Sequence, residues 1–134
     1  MQSLKVKDYM AAKLVTVTPQ TNVVEAMEML LNSQVSGAPV VDAEGQLVGV
    51  LSEADLLHVI IQDSYYDESV GIVADYMKAP VDTVDANLDI YTLAQKFTEE
   101  HRRRYPVVSN GKLVGQISRR DVLRAAQDAL QHRA

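Results

Sequence analysis

The feature that most constrains this chain is an internal duplication, in which one stretch of sequence is repeated at an offset of 67 positions. The segment Val6–Met10 recurs as Val73–Met77, with valine, aspartate, tyrosine and methionine in the same order. Pro39–Val41 recurs in the same way as Pro106–Val108. Self-similarity at a fixed period indicates two copies of one supersecondary unit, so the fold must accommodate the same unit twice.

Each repeat has the pattern of one strand, a helix, two strands and a second helix. In repeat one, the β-branched segment Val15–Val17 precedes a helical stripe, and the strands Ala38–Val41 and Leu47–Leu51 follow as a hairpin. A unit of about 60 residues is only marginally stable alone, so the two copies should bury their faces against each other. We therefore expect an α/β (α+β) fold of two β-α-β-β-α repeats packed about a pseudo-twofold axis. The apolar stripe is predicted at Val23, Ala26, Met27, Leu30 and Leu31.

The repeat boundaries predict how the chain is divided. We expect repeat one at residues 4–61, a linker at 62–72 and repeat two at 73–130, together forming one compact pair. The sequence has no cysteine, and its 47% apolar and 23% charged residues are ordinary for a globular protein. Its longest apolar runs are too short for a membrane span. A cytoplasmic protein that contacts no membrane is expected.

Motifs of catalysis and metal binding are missing from the sequence. It contains no phosphate loop, no Gly-x-Ser-x-Gly and no His-Glu-x-x-His. The histidines His58, His101 and His132 do not have the spacing of metal ligands. The formal net charge of −5 argues against nucleic acid as a partner. We expect no enzymatic activity, no catalytic residues, no metal and no tightly held cofactor.

A turn of the form Gly-φ-φ-Ser-x-x-Asp, where φ is mostly apolar, occurs in each repeat at Gly49–Asp55 and Gly115–Asp121. One interpretation is structural, because serine caps a helix and an aspartate in the first turn suits its positive end. The other is functional. Free N–H groups and a hydroxyl bind an anion, and a carboxylate accepts hydrogen bonds from a vicinal diol. A phosphate beside a diol describes the ribose phosphate of a nucleotide.

A basic run, Arg102–Arg104, leads directly into a strand of repeat two. The corresponding stretch of repeat one, Val35–Pro39, is small and uncharged. Residues 1–67 carry a net charge of −6 and residues 68–134 a net charge of +1, so the halves differ in electrostatics. The run is either a solvated helix end or an anion site, and a nucleic-acid surface is a weaker third interpretation.

The doubled β-α-β-β-α pattern, with its Pro-Val-Val strand and Ser-x-x-Asp turn, resembles a tandem pair of cystathionine β-synthase (CBS) domains, also called a Bateman module. The resemblance covers about residues 4–130 and suggests a stand-alone pair. It implies a regulatory module that binds adenosine-containing ligands in clefts between the repeats and signals to a regulated partner protein. The implied ligands are AMP, ADP or ATP, and sometimes S-adenosylmethionine or NAD.

The resemblance also implies two sets of ligand-binding residues, each combining one Ser-x-x-Asp turn with segments of the other repeat. Asp55 and Asp121 would hold ribose hydroxyls, while serines and arginines would face phosphate. The first cleft takes Ser52, Asp55, Val81, Thr83, Arg103, Arg104 and Tyr105. The second takes Ser118, Arg119, Arg120 and Asp121 with Val15, Thr16, Val35, Ser36, Gly37 and Ala38.

Two residues of repeat two depart from repeat one near the first cleft. Asp82 would repel phosphate if it pointed into the cleft. Tyr105 stands where repeat one has Ala38, and a side chain of that size either closes over the base or blocks the cleft.

The alternative function is a ligand-free structural module. Pairs of this kind associate side by side through their second helices, so a homodimer is expected. The residues expected at that surface are Leu56, Leu57, Ile60, Ile61, Val122 and Ala126.

Overall fold

The structure, a computed structural model, describes residues 4–66 and 71–131, and the described chain forms two compact units. Unit 1 takes the described residues up to Leu14 together with those from Asp82 onward, and unit 2 is Val15–Val81. Part of the predicted linker, residues 67–70, lies outside the described residues.

Unit 2 contains two helices and a two-stranded sheet. Helix α1 is Val23–Ser33, strand β1 is Gly37–Val41, strand β2 is Leu47–Ser52 and helix α2 is Glu53–Tyr66. Strands β1 and β2 are antiparallel, as the apolar residues on either side of a short turn predict. Helix α2 runs into the segment that the sequence predicts as linker.

Unit 1 repeats this arrangement with one more strand. It contains β3 (Val84–Asp85), α3 (Ile90–Glu100), β4 (Arg104–Ser109), β5 (Lys112–Ser118) and α4 (Arg119–Gln131). The sheet has the order β3-β4-β5, with β3 parallel and β5 antiparallel to β4. Helices and small sheets in both units confirm the predicted mixed α+β fold.

The first strand of repeat one is shorter than predicted. Val17 makes a single parallel bridge to Val40, whereas the equivalent β3 of repeat two forms a two-residue ladder. In repeat two the N–H of Ala86 donates to the carbonyl of Val108 at 3.0 Å. Repeat one has Pro19 at the matching position, and proline has no N–H to continue the ladder.

Each unit has its own apolar core, formed by residues of both of its helices and of its sheet. In α1 the stripe is narrower than predicted, because Leu31 is 69% exposed while Leu30 is 2% exposed. Within the described ranges, no helix is long and apolar enough to cross a bilayer. The residues of the two cores that are almost wholly inaccessible include Val23, Val40, Leu51 and Val73 in unit 2, and Val6, Ile90, Leu93, Tyr105, Val107 and Ile117 in unit 1.

The two hairpins turn in different ways, which explains the one-residue difference between the repeats. Asn110 and Gly111 both have positive φ, 54° and 80°, and such a two-residue turn matches the twist of a hairpin. In repeat one, the carboxylate of Asp42 accepts the N–H groups of Glu44 and Gln46 at 3.0 and 2.9 Å. An aspartate that binds the following backbone in this way stabilises a longer turn.

Each copy of the Val-x-Asp-Tyr-Met motif docks on the glycine that precedes the Ser-x-x-Asp turn of the other repeat. In unit 1, Ala11 and Gln116 exchange N–H···O bonds of 2.9 Å, which places Met10 over Gly115. In unit 2, Lys78 and Val50 exchange bonds of 2.9 and 3.0 Å in the same manner. A side chain at the glycine would occupy the space of the methionine.

Replacing Gly115 by alanine tests this contact. The added Cβ would lie 2.5 Å from the sulfur of Met10 and 2.9 Å from the carbonyl oxygen of Ala11, so the docked segment must shift. We expect Gly115→Ala to lower the free energy of unfolding by about 1–3 kcal/mol, as measured by urea denaturation. Combination with Met10→Ala should restore only part of the loss, because the contact with the backbone oxygen persists. An unchanged stability would contradict the contact.

Helix α1 ends at a residue in the left-handed region, Gln34, with φ of 57°. Glycine adopts this conformation without a Cβ penalty, whereas other residues pay about 1 kcal/mol or more. We expect Gln34→Gly to raise the free energy of unfolding by about 0.5–1 kcal/mol. The matched control is Gln95→Gly inside α3, which should lower stability by about 1 kcal/mol. Equal effects at both positions would contradict the assignment.

Candidate functional site

The Ser-x-x-Asp turns form closed hydrogen-bond loops with nearly the same geometry in both units. The N–H and hydroxyl of Ser52 both donate to Oδ2 of Asp55 at 2.8 Å, and the N–H of Asp55 donates back to the serine oxygen at 3.2 Å. For Ser118 and Asp121 the corresponding distances are 2.8, 3.0 and 3.2 Å. The reciprocal bonds satisfy backbone donors at the start of α2 and α4, as a capping box does.

The second carboxylate oxygen of each aspartate faces a cation. Oδ1 of Asp55 lies 3.5 Å from Nζ of Lys78, and Oδ1 of Asp121 accepts from the guanidinium of Arg124. The aspartates are 4% and 7% exposed, whereas the side chains of Lys78 and Arg124 are 76% and 61% exposed. A buried carboxylate is therefore held in place by the turn, and its second oxygen pairs with a cation whose side chain is largely exposed to solvent.

The segment that precedes the Pro-Val-Val strand lies beside the turn of its own repeat. Gly37 pairs with Ser52 across β1 and β2, and Arg104 pairs with Ser118 across β4 and β5. The N–H of Arg119 donates to the carbonyl of Arg103 at 3.2 Å, which ties the basic run to the start of α4. Register thus brings the arginines of repeat two to the Ser118 turn.

A groove of about 760 Å³ opens at this point of unit 1. Its walls combine the turn and the basic run with apolar groups from α3 and α4. Arg103, Arg104, Arg119 and Arg120 are all exposed there. The lining residues are Ala94, Phe97, Thr98, Arg103, Arg104, Ser118, Arg119, Arg120, Val122 and Leu123.

The other predicted site residues are distributed over the same two units. Val15 and Thr16 lead into Val17, which bridges to β1, and Thr83 leads into β3, which pairs with β4. Val35, Ser36 and Ala38 accompany the Ser52 turn in unit 2, where the carbonyl of Ser36 accepts the N–H of Glu53 at 2.9 Å. Val81 is the last residue of unit 2. The predicted combination of each turn with segments of the other repeat stays a prediction.

Comparison with known protein families finds one match in each half of the duplication. The family model of the CBS domain matches the chain twice, at residues 6–62 and 73–128. The chain belongs to the CBS-domain family. It is a tandem CBS pair, and the predicted family is confirmed.

Solved CBS pairs resemble this chain over almost its whole length. The structure of CBSX2 from Arabidopsis thaliana has a TM-score of 0.80 and 32% identity, covering 97% of this chain and 99% of that one. A structure of CBSX2 in complex with AMP has a TM-score of 0.79 and 34% identity, covering 93% of this chain and 97% of that one.

Curated relatives contain the pair within longer proteins. Chloroplastic CBSX1 of Arabidopsis thaliana is 32% identical over 149 residues, which cover 90% of this chain and 63% of the relative. The A-adding tRNA nucleotidyltransferase of Aquifex aeolicus is 27% identical over 128 residues, which cover 96% of this chain and 15% of the enzyme. The CBS pair thus spans less than two thirds of the length of these relatives.

Sequence reasoning missed the partners of the two aspartates and the apolar lining of the groove. Arg124 lies three residues after Asp121 on α4, a spacing that places two helical side chains together and could have indicated the pair. Lys78 follows the duplicated motif, and only the docking of that segment brings it to Asp55. Among the residues that the structure describes, no group of His, Asp and Glu side chains could hold a metal ion, and His132 lies outside them.

Tyr105 does not extend into a cleft, because its side chain is wholly buried in the core of unit 1. Its ring packs on Phe97 with centroids 4.8 Å apart, and its hydroxyl donates to Glu100 at 2.8 Å. We call the polar residues around it the Tyr105 cluster: Asp82, Lys96, Glu100, Arg102 and Tyr105 itself. Tyr105 thus neither closes over a base with its ring nor blocks a cleft.

The Tyr105 cluster neutralises Asp82, the residue that would otherwise repel phosphate. Its carboxylate lies 3.4 Å from Nζ of Lys96 and 3.7 Å from Nε of Arg102. The hydrogen bond from Lys96, followed by that from Tyr105, lowers the pKa of Glu100 to about 2. Burial, followed by the bond to Glu100, raises the pKa of Tyr105 to about 12. The cluster therefore fixes the helix end that leads into the basic run.

The lowered pKa of Glu100 predicts a pH-dependent contribution to stability. Because the pKa is below the ordinary value of 4.5, the charged carboxylate stabilises the fold above pH 4.5, and this contribution is lost as the pH falls towards 2. In urea denaturation at a series of pH values, Glu100→Gln should be less stable than the native chain at neutral pH, and the difference should vanish near pH 2. Glu99→Gln, the next residue on α3, is the matched control. A difference that is independent of pH would contradict the cluster.

Proposed function

We propose that this CBS pair is a regulatory module that binds an adenosine-containing nucleotide of the AMP, ADP or ATP class, without catalysing a reaction itself. S-adenosylmethionine and NAD belong to the same ligand class and are included in the test. Binding would shift the population of conformations that the pair presents to a regulated partner protein. The AMP complex of CBSX2, a relative that is 34% identical over nearly the whole chain, supports the ligand class.

The observation that carries the proposal is the pair of nearly buried carboxylates held by the Ser-x-x-Asp turns. In each turn Oδ2 is used by the serine, which leaves Oδ1 of Asp55 or Asp121 to exchange its cation for a ligand. The two hydroxyls of a ribose can donate to that oxygen, and hydrogen bonds to a charged group contribute about 1.5–3 kcal/mol each. The aspartate therefore serves both helix capping and ligand binding through different atoms.

The proposed sites group residues within each unit. In unit 1 the Ser118 turn would act with Arg103, Arg104 and the backbone before β3. In unit 2 the Ser52 turn would act with the backbone at Ser36 and before Val17. The register of β1 with β2 and of β4 with β5 brings the segment before each proline to the turn, while β3 pairs with β4 and Val17 pairs with β1.

Substitution of the aspartates tests the proposal. Asp55→Asn and Asp121→Asn, made separately, preserve side-chain size and remove the charge that would accept the ribose hydroxyls. We expect the substitution at an occupied site to weaken binding of the preferred nucleotide about 10- to 100-fold in isothermal titration against AMP, ADP, ATP, NAD and S-adenosylmethionine.

The matched control for these variants is Asp89→Asn. Asp89 also caps a helix, since its carboxylate accepts the N–H groups of Tyr91 and Thr92 at 3.1 Å each. This variant should lose some stability while nucleotide affinity is unchanged. If no nucleotide binds the native chain at millimolar concentration, or if neither aspartate affects affinity, the proposal is wrong.

Exposed apolar side chains on the second helix of each unit favour the alternative role in assembly. Leu57, Ile60 and Ile61 on α2 are 59%, 52% and 48% exposed, and Leu123 and Leu130 on α4 are 69% and 61% exposed. The surface differs from the expected one, because Leu56 and Val122 point into the cores with 6% and 8% exposure. We propose that these exposed residues form a homodimer contact. A dimer that binds its partner without any nucleotide would favour a purely structural module.

A further inference from the structure

Four arginines line the groove of unit 1 without an acidic partner among the residues that the structure describes. Within the described ranges, Arg103, Arg104, Arg119 and Arg120 take part in no ion pair, whereas Arg102 and Arg124 are paired with carboxylates. All four side chains are exposed and border one groove of about 760 Å³. Like charges at such close quarters repel one another, so their combined positive potential suits an anion of high charge.

The chain contains its own control for the structural role of these arginines. Repeat one places Ser36, Gly37, Glu53 and Ala54 at the four matching positions, which changes the local formal charge from +4 to −1. The Ser52 turn nevertheless closes with hydrogen bonds that agree with those of the Ser118 turn within 0.2 Å. The fold of the turn therefore does not require the arginines.

The groove is amphipathic, which fits a ligand with a flat apolar part and a charged tail. Leu123, which is 69% exposed, contributes apolar surface, and the buried side chains of Phe97 and Val122 also line the groove. Arg104 pairs with Ser118 across β4 and β5. Guanidinium groups bind phosphate oxygens in a bidentate manner. A single phosphate bound at the turn can contact about one guanidinium group, whereas a tail of two or three phosphates can contact several of the arginines.

We propose, on the basis of the proposed function, that the Ser118 turn of unit 1 binds the polyphosphate end of a nucleoside di- or triphosphate. The Ser52 turn of unit 2, which has Glu53 in place of Arg119, does not select for additional phosphates. The two halves of the duplication thus differ in the charge of the ligand they accept while sharing one backbone.

The decisive variant is Arg119→Glu with Arg120→Ala, because it gives the Ser118 turn the two residues that the Ser52 turn already carries. The native chain should bind ATP about tenfold more tightly than AMP in isothermal titration, with ADP between them. In the double variant, ATP affinity should fall by a larger factor than AMP affinity, so that the two differ by no more than about threefold. Added salt should reduce the native preference for ATP, since exposed phosphate contacts are screened.

The matched control is Lys7→Glu with Lys112→Ala, which makes the same change in net charge at exposed residues that do not line the groove. It should leave the ratio of ATP to AMP affinity unchanged. Equal affinities of the native chain for AMP and ATP would overturn the inference. So would an equal loss of AMP and ATP affinity in the double arginine variant, which we call the groove variant. A changed ratio of ATP to AMP affinity in the lysine control would also overturn it. Thermal denaturation confirms that each variant is folded.

The adenosine nucleotides together with three further ligands, GTP, inorganic tripolyphosphate and a short RNA, distinguish a failure of this inference from a failure of the proposed function. Adenosine nucleotides that bind equally well whatever their number of phosphates would support the proposed function and overturn the polyphosphate site. GTP and inorganic tripolyphosphate that bind as tightly as ATP, with the same loss in the groove variant, would support the polyphosphate site and overturn the preference for adenosine. A short RNA oligonucleotide that displaces ATP and binds more tightly would assign the groove to nucleic acid and overturn the inference.

Discussion

The hydrogen-bond loop between serine and aspartate at the start of α2 and α4 is the contact on which the rest of this structure depends. It ends a strand, begins a helix and fixes a carboxylate, all within four residues. The glycine three residues before each serine admits the docked methionine, and the strand that pairs with the serine brings in the segment before the proline. Core, docking segment and proposed ligand site therefore meet at the same turn.

Duplication has preserved the backbone at this turn and changed the side chains around it. The hydrogen-bonded frame consists of groups that both repeats retain, namely the serine, the aspartate and the main chain. The residues that face outward differ freely, because an exposed position on a formed turn contributes little to stability. Such a division of roles lets one half of the chain change its electrostatics without disturbing the other half.

Much of this architecture could be predicted from the sequence because the repeat supplies two independent samples of each pattern. Helical spacing located the buried face of α1 apart from Leu31, and the apolar runs on either side of a short turn located the first hairpin. The Asn110–Gly111 turn could also have been assigned by type, since both residues tolerate positive φ. Local chemistry determines these features, so local sequence is sufficient to find them.

Other features depend on contacts between distant residues and leave no periodic signal. The docking of Met10 on Gly115 joins segments from opposite ends of the sequence. The side chain of Tyr105 points into the core because side chains alternate between the two faces of β4, where Tyr105 and Val107 are buried and Arg104 is exposed. The burial of Tyr105 could have been predicted from this two-residue period, had the period been given more weight than the basic residues that precede Tyr105.

The assignment of the first residues to unit 1 has a consequence for how the protein is made. Translation proceeds at about 5–20 residues per second, and domains fold as their chain becomes available. Unit 2 has all of its residues once Val81 has emerged from the ribosome, whereas Ala11 must wait for Gln116 before its hydrogen bonds can form. The segment around Ala11 thus reaches its native contacts only after Gln116 has been synthesised, which is later than the point at which all residues of unit 2 are available.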